Sequence, residues 1–266
     1  MMRYAKSTLC VALVLASLQL FVFSVGGVQA RQVGTKPISW YTKRNAEHKA
    51  PVLDGDLRVI RKHKALYCDE KAAEQGSKTV YLTFDVGYEN GNVEKILDTL
   101  REKEVVGAFF VLSHFVGKNP ELVKRMTKEG HLICNHTAHH KDMSRADEKT
   151  FAQELSALEE CVLRETGQKP APFYRPPEGR FTEQNLQWAE ERGYTTVFWS
   201  LCYADWDNGH QPQKRAAMHI LCDNIHPGAV VLLHPTSATN AAIMGELIDR
   251  WRSEGYTFGS LTDVLP

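Results

Sequence analysis

From Thr79 onward the apolar residues fall into two alternating patterns. Short runs rich in β-branched and aromatic residues occur at Thr79–Phe84, Gly107–Leu112, Leu132–Asn135, Phe173–Tyr174, Thr195–Ser200, Ala229–Leu233 and Thr257–Gly259. Between the first two, Val93, Ile96, Leu97 and Leu100 recur at the i, i+3, i+4, i+7 spacing of an amphipathic helix. Asn119-Pro120 opens another helix in N-cap/N1 fashion, with Leu122, Val123 and Met126 on its apolar face. Three helices close alike, at Glu129-Gly130, Arg192-Gly193 and Glu254-Gly255, where glycine supplies the left-handed residue after the last turn. Strands apolar on both faces, alternating with helices, predict a parallel sheet. Seven such repeats predict an α/β fold, closed into an irregular seven-stranded (β/α) barrel rather than an open sheet.

Residues 31–77 lack this regularity. They are polar, broken by Pro37, Pro51 and Asp54-Gly55, and read as an N-terminal extension packing on the barrel, with one short helix near Asp56–His63. Residues 1–30 differ again. Arg3 and Lys6 precede an apolar run from Leu9 to Val25, which ends in Val28-Gln29-Ala30 before Arg31-Gln32. That order is the pattern of a secretory signal peptide. The run is also near the lower length limit of an uncleaved membrane anchor. Either reading places residues 31–266 outside the cytoplasm, with any membrane contact confined to the N-terminal segment.

Composition sharpens this little. With 43% hydrophobic and 24% charged residues, the chain of 266 is globular rather than disordered. Lys+Arg 32 balance Asp+Glu 32, so there is no basic excess to bind nucleic acid. Beyond residue 30 the cysteines are Cys68, Cys134, Cys161, Cys202 and Cys222. None are paired as CxxC, and an odd number leaves at least one thiol free in a monomer.

The residues after each strand carry the chemistry. Asp85 follows the first strand, His114 the second, His136 through His140 the third, Arg175 the fourth, Asp205-Trp206 the fifth and His234 the sixth. Ionisable groups delivered to the C-terminal rim of a barrel are the layout of an active site. Singly, each has a plain structural explanation: a turn-closing carboxylate, a surface arginine, a core histidine. Delivered together to one rim, they form an enzyme-like layout.

Thr83-Phe84-Asp85-Val86-Gly87, His136-Thr137-Ala138-His139-His140, Arg175-Pro176-Pro177-Glu178-Gly179, Asp205-Trp206 and Leu232-Leu233-His234 resemble, in order and spacing, the five motifs of NodB-type polysaccharide deacetylases. Gly87-Tyr88-Glu89-Asn90-Gly91 and Ile38-Ser39-Trp40-Tyr41-Thr42-Lys43-Arg44 narrow the likeness to the sporulation branch, which de-N-acetylates muramic acid on the way to muramic δ-lactam in spore cortex peptidoglycan. The resemblance implies Asp85 as general base, His234 as general acid, and Arg175 and Asp205 as the groups that tune them. It implies His136 and His140 as metal ligands, and peptidoglycan glycan strands as partner. Tyr88, Glu89, Asn90, Pro177, Trp206 and Leu233 are expected to meet the substrate. Most of the family carries a second Asp after the first as third metal ligand, and here that position is Val86. A divalent ion, zinc-like by its imidazole ligands, is therefore expected to bind weakly. A deacetylase of chitin-like or xylan-like glycans, and a catalytically silent wall-binding module, remain as rivals.

Overall fold

A computed structural model of the chain describes residues 33–264, and the signal or anchor segment lies outside them. The central sheet is parallel. Its strands are β2 (Ala65–Leu66), β3 (Thr79–Val86), β4 (Ala108–Val111), β5 (Leu132–Asn135), β6 (Phe173–Tyr174), β8 (Thr195–Val197), β9 (Val230–Leu233) and β10 (Thr257–Phe258). The order is β10-β3-β4-β5-β6-β8-β2, with β9 also paired to β3. All seven expected strands are present, and the sheet curls into the irregular barrel. Its seam lies between β8 and β9, where a single bridge, Leu201–Val231, replaces a full ladder. Two further short strands, β1 (Ile38–Ser39) and β7 (Arg180–Phe181), form an antiparallel pair outside the barrel.

Strand alternation separates two apolar layers. Tyr81, Phe110, Cys134, Phe173, Val197 and Val230 fill the inside. Leu82, Phe84, Val86, Phe109, Val111 and Leu233 face outward into the larger core. That core is completed by α2 (Val93–Glu102), α3 (Ser113–Lys118), α4 (Pro120–Lys128), α5 (Glu148–Thr166), α7 (Lys214–Asn224) and α8 (Ala238–Ser253). The remaining helices are α1 (Glu70–Gln75) and α6 (Glu183–Glu191). Gly130, Gly193 and Gly255 all have positive φ, as their place behind a helix requires. At Gly228 the demand is steric as well: a Cβ there would lie 2.2 Å from the Asp69 carbonyl oxygen.

The N-terminal extension is continuous with the barrel. Leu53, Leu57, Ile60, Tyr67 and Cys68 share one apolar cluster with Phe181, Leu186, Phe198 and Leu232. Residues 55–62 form a 3₁₀ run instead of an α-helix, and Ala65–Leu66 adds an eighth strand beside β8. No disulfide forms among the described residues, where all five cysteines are free. Trp40 is the anchor of the segment. Its ring stacks on Phe198 with centroids 4.3 Å apart. Its indole N–H donates to the Trp199 carbonyl at 2.9 Å and its backbone N–H to the Gly179 carbonyl at 2.9 Å. Trp40→Ala is expected to lower stability by about 3–5 kcal/mol, the usual range for truncating a buried aromatic. Urea unfolding measures it, and an unchanged midpoint would show that the segment adds nothing to the barrel.

Candidate active site

Asp85 is the inward-facing residue at the end of β3, two positions beyond Thr83 on the same face. Arg175 follows β6 and is fully buried. Its guanidinium makes four hydrogen bonds: Nη1 to Asp85 Oδ1 at 2.7 Å, Nη2 to Thr83 Oγ1 at 2.9 Å and to the Phe198 carbonyl at 3.3 Å, and Nε to the Val197 carbonyl at 3.1 Å. Thr83 in turn donates to the Val231 carbonyl at 2.7 Å. The Phe110 ring lies 4.1 Å below the guanidinium carbon. This buried cation therefore ties β3, β6 and β8 together under the carboxylate. Burial alone would raise the Asp85 pKa; the charge of Arg175, with smaller contributions from His136, His234 and the Arg175 hydrogen bond, outweighs it and holds the carboxyl below its ordinary range. At neutral pH Asp85 is an anion with one oxygen bonded to Arg175, as a general base requires.

His234 follows β9. Its Nδ1 donates to Asp205 Oδ1 at 2.7 Å, and its backbone N–H to Asp205 Oδ2 at 2.8 Å. Nε2 is left for the substrate side. Asp205 is itself fully buried and accepts a third bond from Asn240 Nδ2 at 2.6 Å, while the same amide reaches the His234 carbonyl at 3.0 Å. Tyr203 donates its hydroxyl to the Asn240 side-chain oxygen. Burial pulls the His234 pKa down, but the Asp205 hydrogen bond and the charges of Asp205 and Asp85 raise it above the ordinary value. The imidazolium thus persists to higher pH than a free histidine, which suits a proton donor. With Asp85 as the proposed base, needed ionised, and His234 as the proposed acid, needed protonated, activity should be bounded below by Asp85 and above by His234. Asp205→Asn removes the two largest raising contributions and leaves only the charge of Asp85 against burial, so the alkaline limb of the kcat profile should move to lower pH. An unmoved limb would separate Asp205 from the acid.

Asn240 and Thr83 were not anticipated. Thr83 could have been, by counting back two from Asp85 along the strand. Asn240 carries no such signal, since it sits three residues after the Ser237 N-cap of α8 and reads as an ordinary first-turn residue.

His136 and His140 come together at the end of β5, with ring centroids 5.0 Å apart and planes at 71°. The Arg175 carbonyl, which can only accept, lies 2.9 Å from His136 Nδ1 and fixes the proton there. The Nε2 lone pair then faces Asp85 Oδ2 at 3.5 Å. Burial drives the His136 pKa down to about 4, so the ring is neutral at physiological pH. Two acceptors opposed at this distance call for a cation or a donor beside them, and neutral imidazole is a transition-metal ligand. The pair fits a divalent ion of zinc type. No third His, Cys, Asp or Glu joins them in a metal-holding group among the described residues. Val86 is buried in the outer apolar layer with Leu82 and Phe84, on the opposite side of β3 from Asp85.

The expected substrate contacts divide. Trp206 is 61% exposed and stands edge-on to His234, centroids 6.3 Å apart, as an open wall beside the acid. Tyr88 is 46% exposed, and its hydroxyl pairs with the Asn208 amide across two loops. Pro177 is buried at the start of a 3₁₀ turn. Glu89 and Asn90, expected to face the sugar, also carry loop contacts. Glu89 accepts from the Gly91 backbone. Asn90 Nδ2 and Asn92 Nδ2 both donate to the Thr236 carbonyl, at 2.8 and 3.0 Å, clamping the Asp85 loop to the His234 loop. Leu233 is fully buried in the outer layer, and Leu232 occupies the other face of β9. His114, expected on the rim, is an exposed residue in the first turn of α3.

A carboxylate held ionised by a buried arginine, facing a carboxylate-backed imidazolium at the mouth of a parallel barrel, is a hydrolytic site. The chain belongs to the polysaccharide deacetylase family, whose model matches residues 72–197. It is 38% identical over 265 residues to the peptidoglycan-N-acetylmuramic acid deacetylase PdaA of Bacillus subtilis, covering 99% of this chain and 96% of that protein. The structure of Bacillus subtilis PdaA, a family 4 carbohydrate esterase, superposes with a TM-score of 0.82 at 40% identity, over 86% of this chain and 97% of the other. A family 4 carbohydrate esterase from Bacillus anthracis follows at a TM-score of 0.71 and 35% identity, over 87% and 97% of the two chains.

Proposed function

We propose that the protein removes the N-acetyl group from N-acetylmuramic acid in peptidoglycan, outside the cytoplasm, on residues already stripped of their stem peptide. The freed amine then closes on the lactyl carboxyl to form muramic δ-lactam, as in spore cortex. The end-to-end match to an N-acetylmuramic acid deacetylase carries this reading. An apolar N-terminal run of signal or anchor type supports export.

In the reaction, Asp85 takes a proton from water as its oxygen adds to the acetyl carbon. The tetrahedral species collapses with cleavage of the C–N bond, and His234 protonates the departing amine, giving acetate and a free amino sugar. Arg175 keeps Asp85 ionised, and Asp205, steadied by Asn240, keeps His234 protonated and aimed. A divalent ion held by His136 and His140 would polarise the acetyl carbonyl. Trp206 and Tyr88 would line the cleft.

The test offers the full chain three substrates: peptide-free muramic glycan strands, strands with intact stem peptides, and chitin-like oligomers, with mass spectrometry reading the exchange of acetyl for hydrogen. Deacetylation confined to peptide-free muramic acid is the expected result. Preference for intact stem peptides would sink the proposed order of events, and action on chitin-like oligomers alone would replace the substrate. No deacetylation of any glycan would favour a silent binding module.

A further inference from the structure

Four Asp, Glu or Arg side chains are buried among the described residues: Asp85, Arg175, Asp205 and Glu154. The first three belong to the site above. Glu154 stands on α5, and every bond its side chain makes goes to the loop that carries His136 and His140. Oε2 accepts from the His139 backbone N–H at 2.9 Å. Oε1 accepts from His139 Nδ1 at 3.0 Å and from Lys141 Nζ at 2.7 Å. The Glu154 backbone carbonyl adds a bond from the Ala138 N–H at 3.1 Å.

The loop needs holding. Thr137 and His140 both have left-handed backbones, with φ 73° and 56°, and such non-glycine conformations persist only where the surroundings impose them. Asn135 Oδ1 restrains the Thr137 N–H at 2.9 Å and Thr137 Oγ1 restrains the His140 N–H at 3.0 Å. Between those restraints the backbone is held by Glu154, through the Ala138 and His139 N–H groups, and by the Ser113 N–H, which donates to the Ala138 carbonyl at 3.3 Å. The exposed His139 ring is drawn onto α5, away from the His136–His140 pair.

We infer that Glu154 is a positioning residue: its carboxylate imposes the loop conformation that sets the His140 imidazole beside His136, and so governs affinity for a divalent transition ion. This rests on reading the two histidines as a metal pair. Partners one step behind metal ligands typically contribute about 10–100-fold in affinity. Calorimetric zinc titration of the full chain should therefore show Glu154→Ala binding zinc about 10-fold or more weakly than wild type. Glu154→Gln, which keeps one acceptor for the His139 N–H, should recover part of the loss. Leu158→Ala truncates a fully buried side chain one turn along the same helix and should lower the melting temperature with no change in zinc affinity. Amide hydrogen exchange should accelerate at Ala138–His140 in Glu154→Ala, with β5 unaffected. Unchanged affinity in a folded Glu154→Ala chain, or an equal loss in Leu158→Ala, overturns the inference. If His140→Ala leaves the wild-type isotherm intact, or wild type binds no zinc, the metal pair itself falls and the inference with it.

Discussion

Asp85→Asn should fold and lose about 10²–10⁴-fold in kcat, the usual cost of removing a general base. The amide is nearly isosteric, and its oxygen can still accept from Arg175 Nη1, which keeps three other hydrogen bonds and the Phe110 ring. The lattice of contacts behind the site is therefore retained while the anion is lost. Steady-state deacetylation, with circular dichroism as the folding control, decides it. A folded variant retaining most of its rate would remove Asp85 from the mechanism. His234→Ala should be comparably slow, but its defect should shrink on substrates with a better leaving group, where protonation matters less.

Arg175→Met should destabilise the fold by about 3–5 kcal/mol, because it strands a buried carboxylate without its cation. With the cation gone, burial dominates Asp85 and its pKa rises. Any remaining activity should then show its acidic limb at higher pH. The diagnostic variant is the double one. Adding Asp85→Asn removes the stranded charge, so Arg175→Met/Asp85→Asn should be more stable than Arg175→Met alone, although it contains one more substitution. Urea denaturation of the four species of the cycle measures the coupling. A double variant less stable than the single would mean that the guanidinium acts through its carbonyl contacts and the aromatic beneath it, not through charge.

The barrel was legible where several signals coincided: a β-branched run, an ionisable residue directly after it, and a glycine closing the helix before it. The three anticipated helix ends have the expected left-handed glycines, and Asp85, Arg175, His136 and His234 converge because each sits at or just past the C-terminal end of a strand. The failures have physical causes. In Val230–Leu233 every residue is apolar, so alternation leaves no trace, and nothing in the sequence separates inward Leu232 from outward Leu233. The bond of Asn90 could not be read because its partner, the Thr236 carbonyl, lies far along the chain, whereas Glu89 bonds Gly91 two residues on. The strands at Ile38–Ser39, Ala65–Leu66 and Arg180–Phe181 are two residues long, too short to show a period, and exist only through distant pairing.

That distant pairing bears on how the chain reaches its native state. Ile38 waits for Phe181, Ala65 for Thr196, and Trp40 for Gly179 and Trp199. The earliest-made part of the described chain has local contacts, such as Trp40 on Tyr67, but its strand pairings wait until most of the rest has been synthesised. Contacts of such long sequence separation slow folding, because loop closure must come before any stabilising contact. A chain whose opening segment stays unpaired until late remains threadable for longer. On the proposed export, delayed closure would suit passage through a narrow translocation pore before folding, and shortening the delay by circular permutation should make passage less efficient.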